Sequence, residues 1–129
     1  MAYGSALRAL GSQHERLVVL SADVGNSDHS YIFEAAFPSR YFNVGIAEQA
    51  LVDVAVGFSL CGWIPFVNTF AFLMSTRALE MIRTHVCIGQ ANVKLMAAYA
   101  GLSDSFDGPT HHSITVSYTH LTLPTILLV

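Results

Sequence analysis

At residues 40–49 the chain reads Arg40-Tyr41-Phe42-Asn43-Val44-Gly45-Ile46-Ala47-Glu48-Gln49, a short extended piece that leads into a helix. Glu48 places one carboxylate at the start of a strongly apolar segment, and the next acidic side chains are Asp53 and then Glu80. An ionised carboxylate is costly to bury, and acidic groups in apolar surroundings are often catalytic. A glutamate at a helix start also complements the helix dipole, so this stretch alone leaves a structural role open.

The segments on either side alternate between strand and helix patterns. Short apolar runs predict strands at residues 17–20, 41–43, 64–68 and 92–97, and helical spacing predicts helices at 2–10, 31–37, 47–60 and 69–84. This alternation predicts an α/β fold, doubly wound around a mainly parallel sheet. In such folds ligand sites gather at the carboxyl ends of strands. Asp23, Asn43, Thr69 and the loop after Ala97 lie at such ends, so we expect them to share a site.

The composition indicates one domain whose surface is partly buried against another protein surface. The chain has 129 residues, of which 53% are hydrophobic and only 12% are charged. That charged share is about half the usual value for a soluble domain. We therefore expect part of the exterior to be buried against a partner, another domain or a second copy. The net charge of −3 provides no basic patch, so nucleic-acid binding is not predicted.

Two further features bear on the cellular compartment. Residues 54–76 carry no charge and are long enough to cross a bilayer, but glycine and proline interrupt them and residues 63–67 have a strand pattern. No membrane span is therefore predicted. Cys61 and Cys87 lie in apolar surroundings without metal-ligand spacing, and we interpret them as reduced core residues of a cytoplasmic protein.

A second polar constellation follows the last predicted strand. Residues 107–110, Asp-Gly-Pro-Thr, predict a tight turn that brings Asp107 and His111 close together and exposes both. Such a pair can hydrogen-bond a polyhydroxylated substrate and transfer protons near neutral pH. A solvent-exposed turn with two surface histidines is the structural alternative. A metal site is not predicted, because no third ligand stands out.

Several separated motifs, taken in order, resemble the pyrimidine-binding domain of the transketolase family of thiamine-diphosphate enzymes. The resemblance covers about residues 2–114. It rests on the strand that ends at Asp23, on residues 40–49, on Pro65-Phe66-Val67-Asn68-Thr69-Phe70, on Asn92-Val93-Lys94-Leu95, on Ala100-Gly101-Leu102 and on Asp107-Gly108-Pro109-Thr110-His111. It implies an incomplete pyrimidine-binding domain at residues 1–115, with thiamine diphosphate as cofactor.

The resemblance gives Glu48 a definite task. The matching glutamate of the family hydrogen-bonds N1′ of the aminopyrimidine and favours the imino tautomer, whose nitrogen takes the proton from the thiazolium C2. The implied reaction transfers a two-carbon ketol unit from a ketose phosphate to an aldose phosphate. Glu48 and His111 are the catalytic residues that this resemblance implies.

Other positions match the family's cofactor and substrate contacts. Phe70 matches an aromatic that packs on the pyrimidine ring, and Phe72 or Leu73 takes the next pocket position; plain core packing is the alternative for these side chains. The remaining matches are Asp23 near the cofactor, Ser27 near the sugar phosphate, Asp107 and His111 at the donor hydroxyls, and Tyr99 where many transketolases carry a substrate-contacting histidine.

The resemblance also implies partners. In the family a separate domain, with a Gly-Asp-Gly motif followed by Asn, holds the diphosphate and its Mg²⁺, and this sequence has no such motif. The implied partners are a diphosphate-binding domain or subunit, further copies in a homo-oligomer of the complete enzyme, and sugar phosphates.

Three alternatives to a transketolase remain. 1-Deoxyxylulose-5-phosphate synthase shares Asp-Gly-Pro-Thr-His-His, and the β subunit of 2-oxo acid dehydrogenases shares the general layout. A non-catalytic fragment or scaffold that stabilises a partner is the third alternative.

Residues 116–129 differ from the rest of the chain. They contain no acidic residue and no helical period. They resemble the translation of a sequencing-library adapter, so we predict a non-native tail. A genuine apolar terminal strand is the alternative.

Overall fold

The computed structural model describes residues 1–114, so the tail predicted at 116–129 lies outside the described residues. The larger elements are α1 (Ala2–Gln13), β1 (Leu17–Ser21), α2 (Tyr31–Ala36), β2 (Tyr41–Asn43), α3 (Glu48–Leu60), β3 (Ile64–Phe70), α4 (Ala71–Thr76), α5 (Leu79–Met81) and β4 (Lys94–Ala98). A π-helical segment, Ile82–Ile88, continues from α5, and 3₁₀ turns occupy Pro38–Arg40 and Gly108–Thr110.

The four strands form one parallel sheet in the order β2-β1-β3-β4. In register, Val19 lies between Tyr41 of β2 and Phe66 of β3, and Phe66 pairs with Lys94 of β4. Parallel neighbours need crossover connections, and the helices supply them. The predicted α/β fold with a mainly parallel sheet is confirmed.

Strand β1 is buried on both faces and separates two hydrophobic cores. Its side chains alternate, so Val18 and Leu20 join one core while Leu17 and Val19 join the other. The first core contains residues of α3 and of the α4–α5 segment, and the second contains residues of α1 and α2. Helices therefore cover both faces of the sheet, as a doubly wound fold requires.

The start of the 40–49 stretch is fixed to the rest of the chain by Arg40. Its guanidinium donates hydrogen bonds to the carbonyl oxygens of Gly11 at 2.9 Å and His14 at 2.8 Å, at the end of α1. It also lies 4.1 Å from the centre of the Phe37 ring. These contacts fix the entry into β2, and hence the approach to Glu48.

The predicted continuous helix at residues 69–84 is wrong in two respects. Strand β3 extends through Phe70, whose backbone is extended at φ −70° and ψ 145°. The helical segment then breaks between α4 and α5, where Ala78 has φ −95° and ψ 3° and is fully buried. Ala78 packs in the core at this break, and the preceding Ser75 and Thr76 are weaker helix formers than alanine or leucine.

The prediction of two core cysteines is also wrong. Cys61 directly follows α3 and Cys87 lies in the π-helical segment, and both are exposed as free thiols. Their neighbours Leu60 and Ile88 are exposed as well, at 77% and 68%, so the apolar sequence around the two cysteines did not indicate burial. Among the described residues, no helix combines the length and apolar character needed to cross a membrane.

Candidate functional site

The carboxyl ends of β1 and β3 meet the start of α3 around a cavity of about 110 Å³. Its wall contains six of the residues that the sequence places at the site, and it adds three more. The predicted ones are Asp23, Glu48, Thr69, Phe70, Leu73 and His111, and the others are Ala22, Val24 and Ile46. The expected convergence at the strand ends is therefore present for these side chains.

Glu48 is the first residue of α3 and is only 1% exposed. A tight turn at Gly45 delivers it there: Gly45 has φ 75°, a conformation that favours glycine, and its N–H donates to Asn43 Oδ1 at 2.9 Å. The helix begins with the hydrogen bond from Leu51 N–H to the Ala47 carbonyl at 2.8 Å. The carboxylate is thus carried into the cavity by a helix whose start is set by the preceding turn.

The two oxygens of the Glu48 carboxylate have different environments. Oε2 accepts a hydrogen bond from Arg77 Nη1 at 2.8 Å. Oε1 is buried and has no hydrogen-bond partner within residues 1–114. A buried polar atom without a partner is costly, and such atoms in folded proteins call for a ligand or a water. Glu48 therefore offers one free acceptor to whatever enters the cavity.

Aromatic rings surround Phe70 at the end of β3. Its ring centre lies 5.5 Å from that of Tyr99 and 5.6 Å from that of His111. The Tyr99 hydroxyl in turn donates to the Ser27 carbonyl oxygen at 3.3 Å. Tyr99 therefore lies beside Phe70 with Ser27 next to it, and neither residue forms part of the cavity wall.

Of the predicted pair Asp107 and His111, and of the alternatives Phe72 and Leu73, only one member each lines the cavity. The 3₁₀ turn Gly108–Thr110 begins after Asp107 and ends at His111, so the predicted turn is present. His111 is half-buried in the cavity wall, whereas Asp107 is exposed and lies outside that wall. Leu73 also lines the cavity, while Phe72 is half-buried elsewhere on α4.

Asp23 has an uncommon backbone conformation. Its φ is 62°, in the left-handed region, and its Oδ1 accepts a hydrogen bond from Asn43 Nδ2 at 2.8 Å. Tyr99, after β4, has φ 55°. Non-glycine residues with positive φ are uncommon, and where they persist they often lie at functional sites.

A second cavity, of about 190 Å³, lies away from Glu48 between Tyr3, Asp28 and residues 96–98 of β4. Tyr3 donates a hydrogen bond to Asn68 Oδ1 at 2.6 Å, and burial raises the pKa of the Tyr3 hydroxyl. Burial also raises the pKa of Asp28, and the hydrogen bond from Ser30 N–H opposes this effect. Both groups thus belong to the packing between α1, β4 and the loop after β1.

Comparison with known proteins assigns the family. The sequence profile described as "Transketolase, pyrimidine binding domain" matches residues 1–126. A Methanocaldococcus jannaschii protein described as a transketolase C-terminal section is 41% identical over 109 residues. The chain belongs to the transketolase pyrimidine-binding domain family.

Other relatives of this pyrimidine-binding domain agree. Human transketolase is 38% identical over 114 residues, 88% of this chain. A solved structure described as a split-gene transketolase, an inactive β4 tetramer, is 49% identical, with a TM-score of 0.71 over 78% of this chain. Campylobacter jejuni transketolase, at 24% identity and a TM-score of 0.78, shares the fold.

The domain is short beside these relatives. It spans 34% of the M. jannaschii protein, 18% of human transketolase and 33% of the split-gene chain. The activity, substrates and partners of the whole protein are therefore proposals.

The structure of this transketolase-family domain adds residues that sequence reasoning missed as site residues. Arg77 contacts Glu48, and Ile46 lines the cavity although it is 72% exposed. No sequence signal marked Arg77, because its contact with Glu48 depends on the placement of α4 relative to α3. Thr69, which the sequence placed at the site because it lies at a strand end, is 1% exposed, and its Oγ1 has no hydrogen-bond partner in the described part of the chain.

Proposed function

We propose that this chain is the pyrimidine-binding part of a thiamine-diphosphate-dependent transketolase that transfers a two-carbon ketol unit between sugar phosphates. The observation that carries the proposal is Glu48, whose carboxylate is buried at a helix start with Oε1 free in a cavity. Family membership supports the reaction class, and the cavity supports the role of Glu48.

The residues present fit the aminopyrimidine part of the cofactor. The cavity volume of about 110 Å³ is well below the roughly 300 to 1,000 Å³ of pockets that enclose a whole ligand. It suits a single ring with polar edges, because Glu48 Oε1 and Thr69 Oγ1 are free and Phe70 and Leu73 supply apolar walls. When bound, thiamine diphosphate supplies the electron sink for carbon–carbon cleavage.

Each residue then has a stated part in the proposal. Glu48 Oε1 would hold a proton against the ring nitrogen of a bound aminopyrimidine, and Phe70 and Leu73 would exclude water from that hydrogen bond. The His111 imidazole, in the wall of the same cavity, would hydrogen-bond a substrate hydroxyl as a donor or an acceptor. Asp23 completes the cofactor side of the wall.

The substrate contacts extend outward from this cavity. We propose that Asp107 hydrogen-bonds a hydroxyl of the donor sugar and that Ser27 lies near the sugar phosphate. Tyr99 links the two regions, because it contacts both Phe70 and the Ser27 carbonyl. Phe72 is only half-buried, so we propose it as a candidate residue that contacts the cofactor once a partner is bound.

The rest of the cofactor requires a partner. Within residues 1–114, no three His, Cys, Asp or Glu side chains are grouped to hold a metal ion. We propose that Mg²⁺ and the diphosphate are held by a separate domain or subunit, in a homo-oligomer of the complete enzyme in the cytoplasm. The fragment alone is proposed to be inactive; the 49% identical structure is itself described as an inactive β4 tetramer.

The test uses the enzyme assembled with its diphosphate-binding partner. Glu48→Ala should abolish most ketol transfer, while Glu48→Gln, which keeps the shape but not the acid, should lose activity by on the order of 100-fold. Circular dichroism should show an unchanged fold for both. Full activity of either variant would contradict the proposal.

Product analysis separates the related enzymes. The assembled enzyme is given pyruvate or a ketose phosphate as donor, each with the same aldose phosphate. Turnover of the ketose phosphate alone supports a transketolase. Turnover of pyruvate would support 1-deoxyxylulose-5-phosphate synthase or a 2-oxo acid dehydrogenase, and turnover of neither would support a non-catalytic scaffold.

A further inference from the structure

We propose that Arg77 is a positioning residue, which fixes the Glu48 carboxylate so that Oε1 faces the cofactor cavity. The inference rests on the function proposed above, because it concerns how Glu48 is presented to the aminopyrimidine. It assigns a role to a side chain that lies outside the cavity wall and that no sequence motif singled out.

Arg77 contacts only one of the two oxygens of the Glu48 carboxylate. Arg77 Nη1 donates to Glu48 Oε2 at 2.8 Å, and Oε1 keeps no partner within the described residues. A guanidinium can bind both oxygens of a carboxylate, but this one leaves the second oxygen free. The pairing therefore selects which oxygen is available in the cavity.

A carboxylate needs such a constraint. The terminal torsion of glutamate is broad, so its two oxygens exchange places unless a partner holds one of them. Glu48 is 1% exposed, so water has little access to its carboxylate as an alternative hydrogen-bond partner. A charge-assisted hydrogen bond from Arg77 is strong enough to hold the group in one orientation.

The fold brings Arg77 into place through α4. Arg77 follows Leu73 by four residues, so the two side chains lie on one face of the helical turn. Leu73 lines the cavity, and the N–H groups of Arg77 and Ala78 both donate to the Leu73 carbonyl, at 3.0 and 3.2 Å. Buried Ala78 then ends the turn. Helix α4 thus places Leu73 in the cavity wall and Arg77 beside Glu48 together.

The same pairing stabilises the buried carboxylate of Glu48. A buried carboxylate without a partner is strongly destabilising, whereas one that is paired through a single oxygen is stabilised and can still accept a ligand. Arg77 is 44% exposed, so its own charge remains largely hydrated. The arrangement therefore supports Glu48 before the cofactor binds.

The experiment is a double-mutant cycle on the enzyme assembled with its partner. Arg77→Met is made with Glu48 present and in the Glu48→Ala background, and thiamine diphosphate with Mg²⁺ is titrated by calorimetry. We expect Arg77→Met to weaken binding about tenfold when Glu48 is present and by less than about twofold when it is absent. With Glu48 present, kcat should fall by on the order of 10- to 100-fold, with the donor KM within about twofold.

Arg83→Met is the matched control, because Arg83 is exposed on the neighbouring π-helical segment and carries the same charge. It should leave binding and turnover unchanged. If Arg77→Met does not assemble, Arg77→Gln, which has a shorter uncharged donor, takes its place in the cycle. Equal weakening in both Glu48 backgrounds would overturn the inference, because Arg77 would then act independently of Glu48. Failure of the proposed function would look different: the unmutated assembled enzyme would not bind thiamine diphosphate, and this too would overturn the inference.

Discussion

At the scale of single residues, the cavity is defined by polar atoms that lack partners. Glu48 Oε1 and Thr69 Oγ1 are both buried in its wall without hydrogen bonds among residues 1–114. Folded proteins rarely leave such atoms unsatisfied. Their coincidence in one small cavity separates a ligand site from ordinary core packing.

Phe70 provides a test of the aromatic wall. Its ring packs against Tyr99 and His111 at centre distances of 5.5 and 5.6 Å. Phe70→Leu keeps apolar volume but removes the flat ring, so thiamine diphosphate binding by the assembled enzyme should weaken by about 1 kcal/mol, or roughly fivefold. Calorimetric titration measures this. Phe42→Leu, a half-exposed aromatic on β2, is the control, and equal losses in both variants would argue against a specific wall.

Asp23 tests the strained backbone after β1. Because its φ is 62°, alanine there should cost about 1–2 kcal/mol of unfolding free energy, including the lost hydrogen bond from Asn43. Asp23→Asn tolerates positive φ and keeps an acceptor oxygen, so its cost should stay below about 0.5 kcal/mol. Urea unfolding of both variants gives the comparison, and equal stability would show that this conformation stores no strain.

At the scale of elements, the sequence predicted the helices and strands that local hydrophobic periodicity determines. The four strands and the start of α3 were accessible, because apolar runs and the Gly45 turn have local signatures. The break after α4, the π-helical segment and the Arg77–Glu48 contact were not accessible. They depend on how residues 75–88 pack against the core and the sheet, and hydrophobic periodicity alone carries no signature of that packing. The cavity-lining role of Leu73, left open against Phe72, depends on the same geometry.

Two helix glycines should respond oppositely to alanine. In α1, a Cβ at Gly4 would lie 2.2 Å from the His29 carbonyl oxygen, so Gly4→Ala should destabilise the chain by about 1–3 kcal/mol. In α3, a Cβ at Gly57 would meet nothing within 4 Å, and Gly57→Ala should stabilise by about 0.5–1 kcal/mol. Thermal unfolding measures both. A Gly4 variant as stable as the unmutated chain would mean that α1 does not approach the loop before α2 so closely.

The pair between α3 and the π-helical segment should make stability depend on pH. His85 Nδ1 lies 2.6 Å from Asp53 Oδ1, and this hydrogen bond, with further attraction from Asp53 and Glu80, raises the pKa of His85. Because the pKa is raised in the folded state, protonated His85 stabilises the fold fully below the unfolded-state pKa of about 6.5. This stabilisation is lost as pH rises through the folded-state pKa. Asp53→Asn should therefore lower the unfolding temperature below about pH 6.5 and have a smaller effect at higher pH. A pH-independent difference would show that the histidine charge is not involved.

At the scale of the whole molecule, the surface agrees with the low charge content. Several large apolar side chains are widely exposed, at 72% for Ile46, 77% for Leu60 and 68% for Ile88. Ile46 is also part of the cavity wall, so the site opens onto uncovered apolar surface. The domain also spans only 34% and 18% of the lengths of its relatives from M. jannaschii and human. The exposed apolar surface around the site agrees with the proposal that another domain completes it.

The chain alone should therefore bind thiamine diphosphate poorly. Tight ligand sites enclose about 70–90% of the ligand surface, whereas the cavity beside Glu48 has room for only one ring. We expect affinity on the order of 100-fold or more below that of the assembled enzyme, because the proposed function assigns the diphosphate end to a separate domain or subunit. Calorimetry of the isolated chain and of the assembled enzyme, each titrated with thiamine diphosphate and Mg²⁺, measures the difference. Equal affinity would mean that residues of this chain hold the diphosphate, and the division of the cofactor between two domains would have to be abandoned. Weak binding that Glu48→Ala abolishes would support that division, because the ring end of the cofactor would then be recognised by this domain alone.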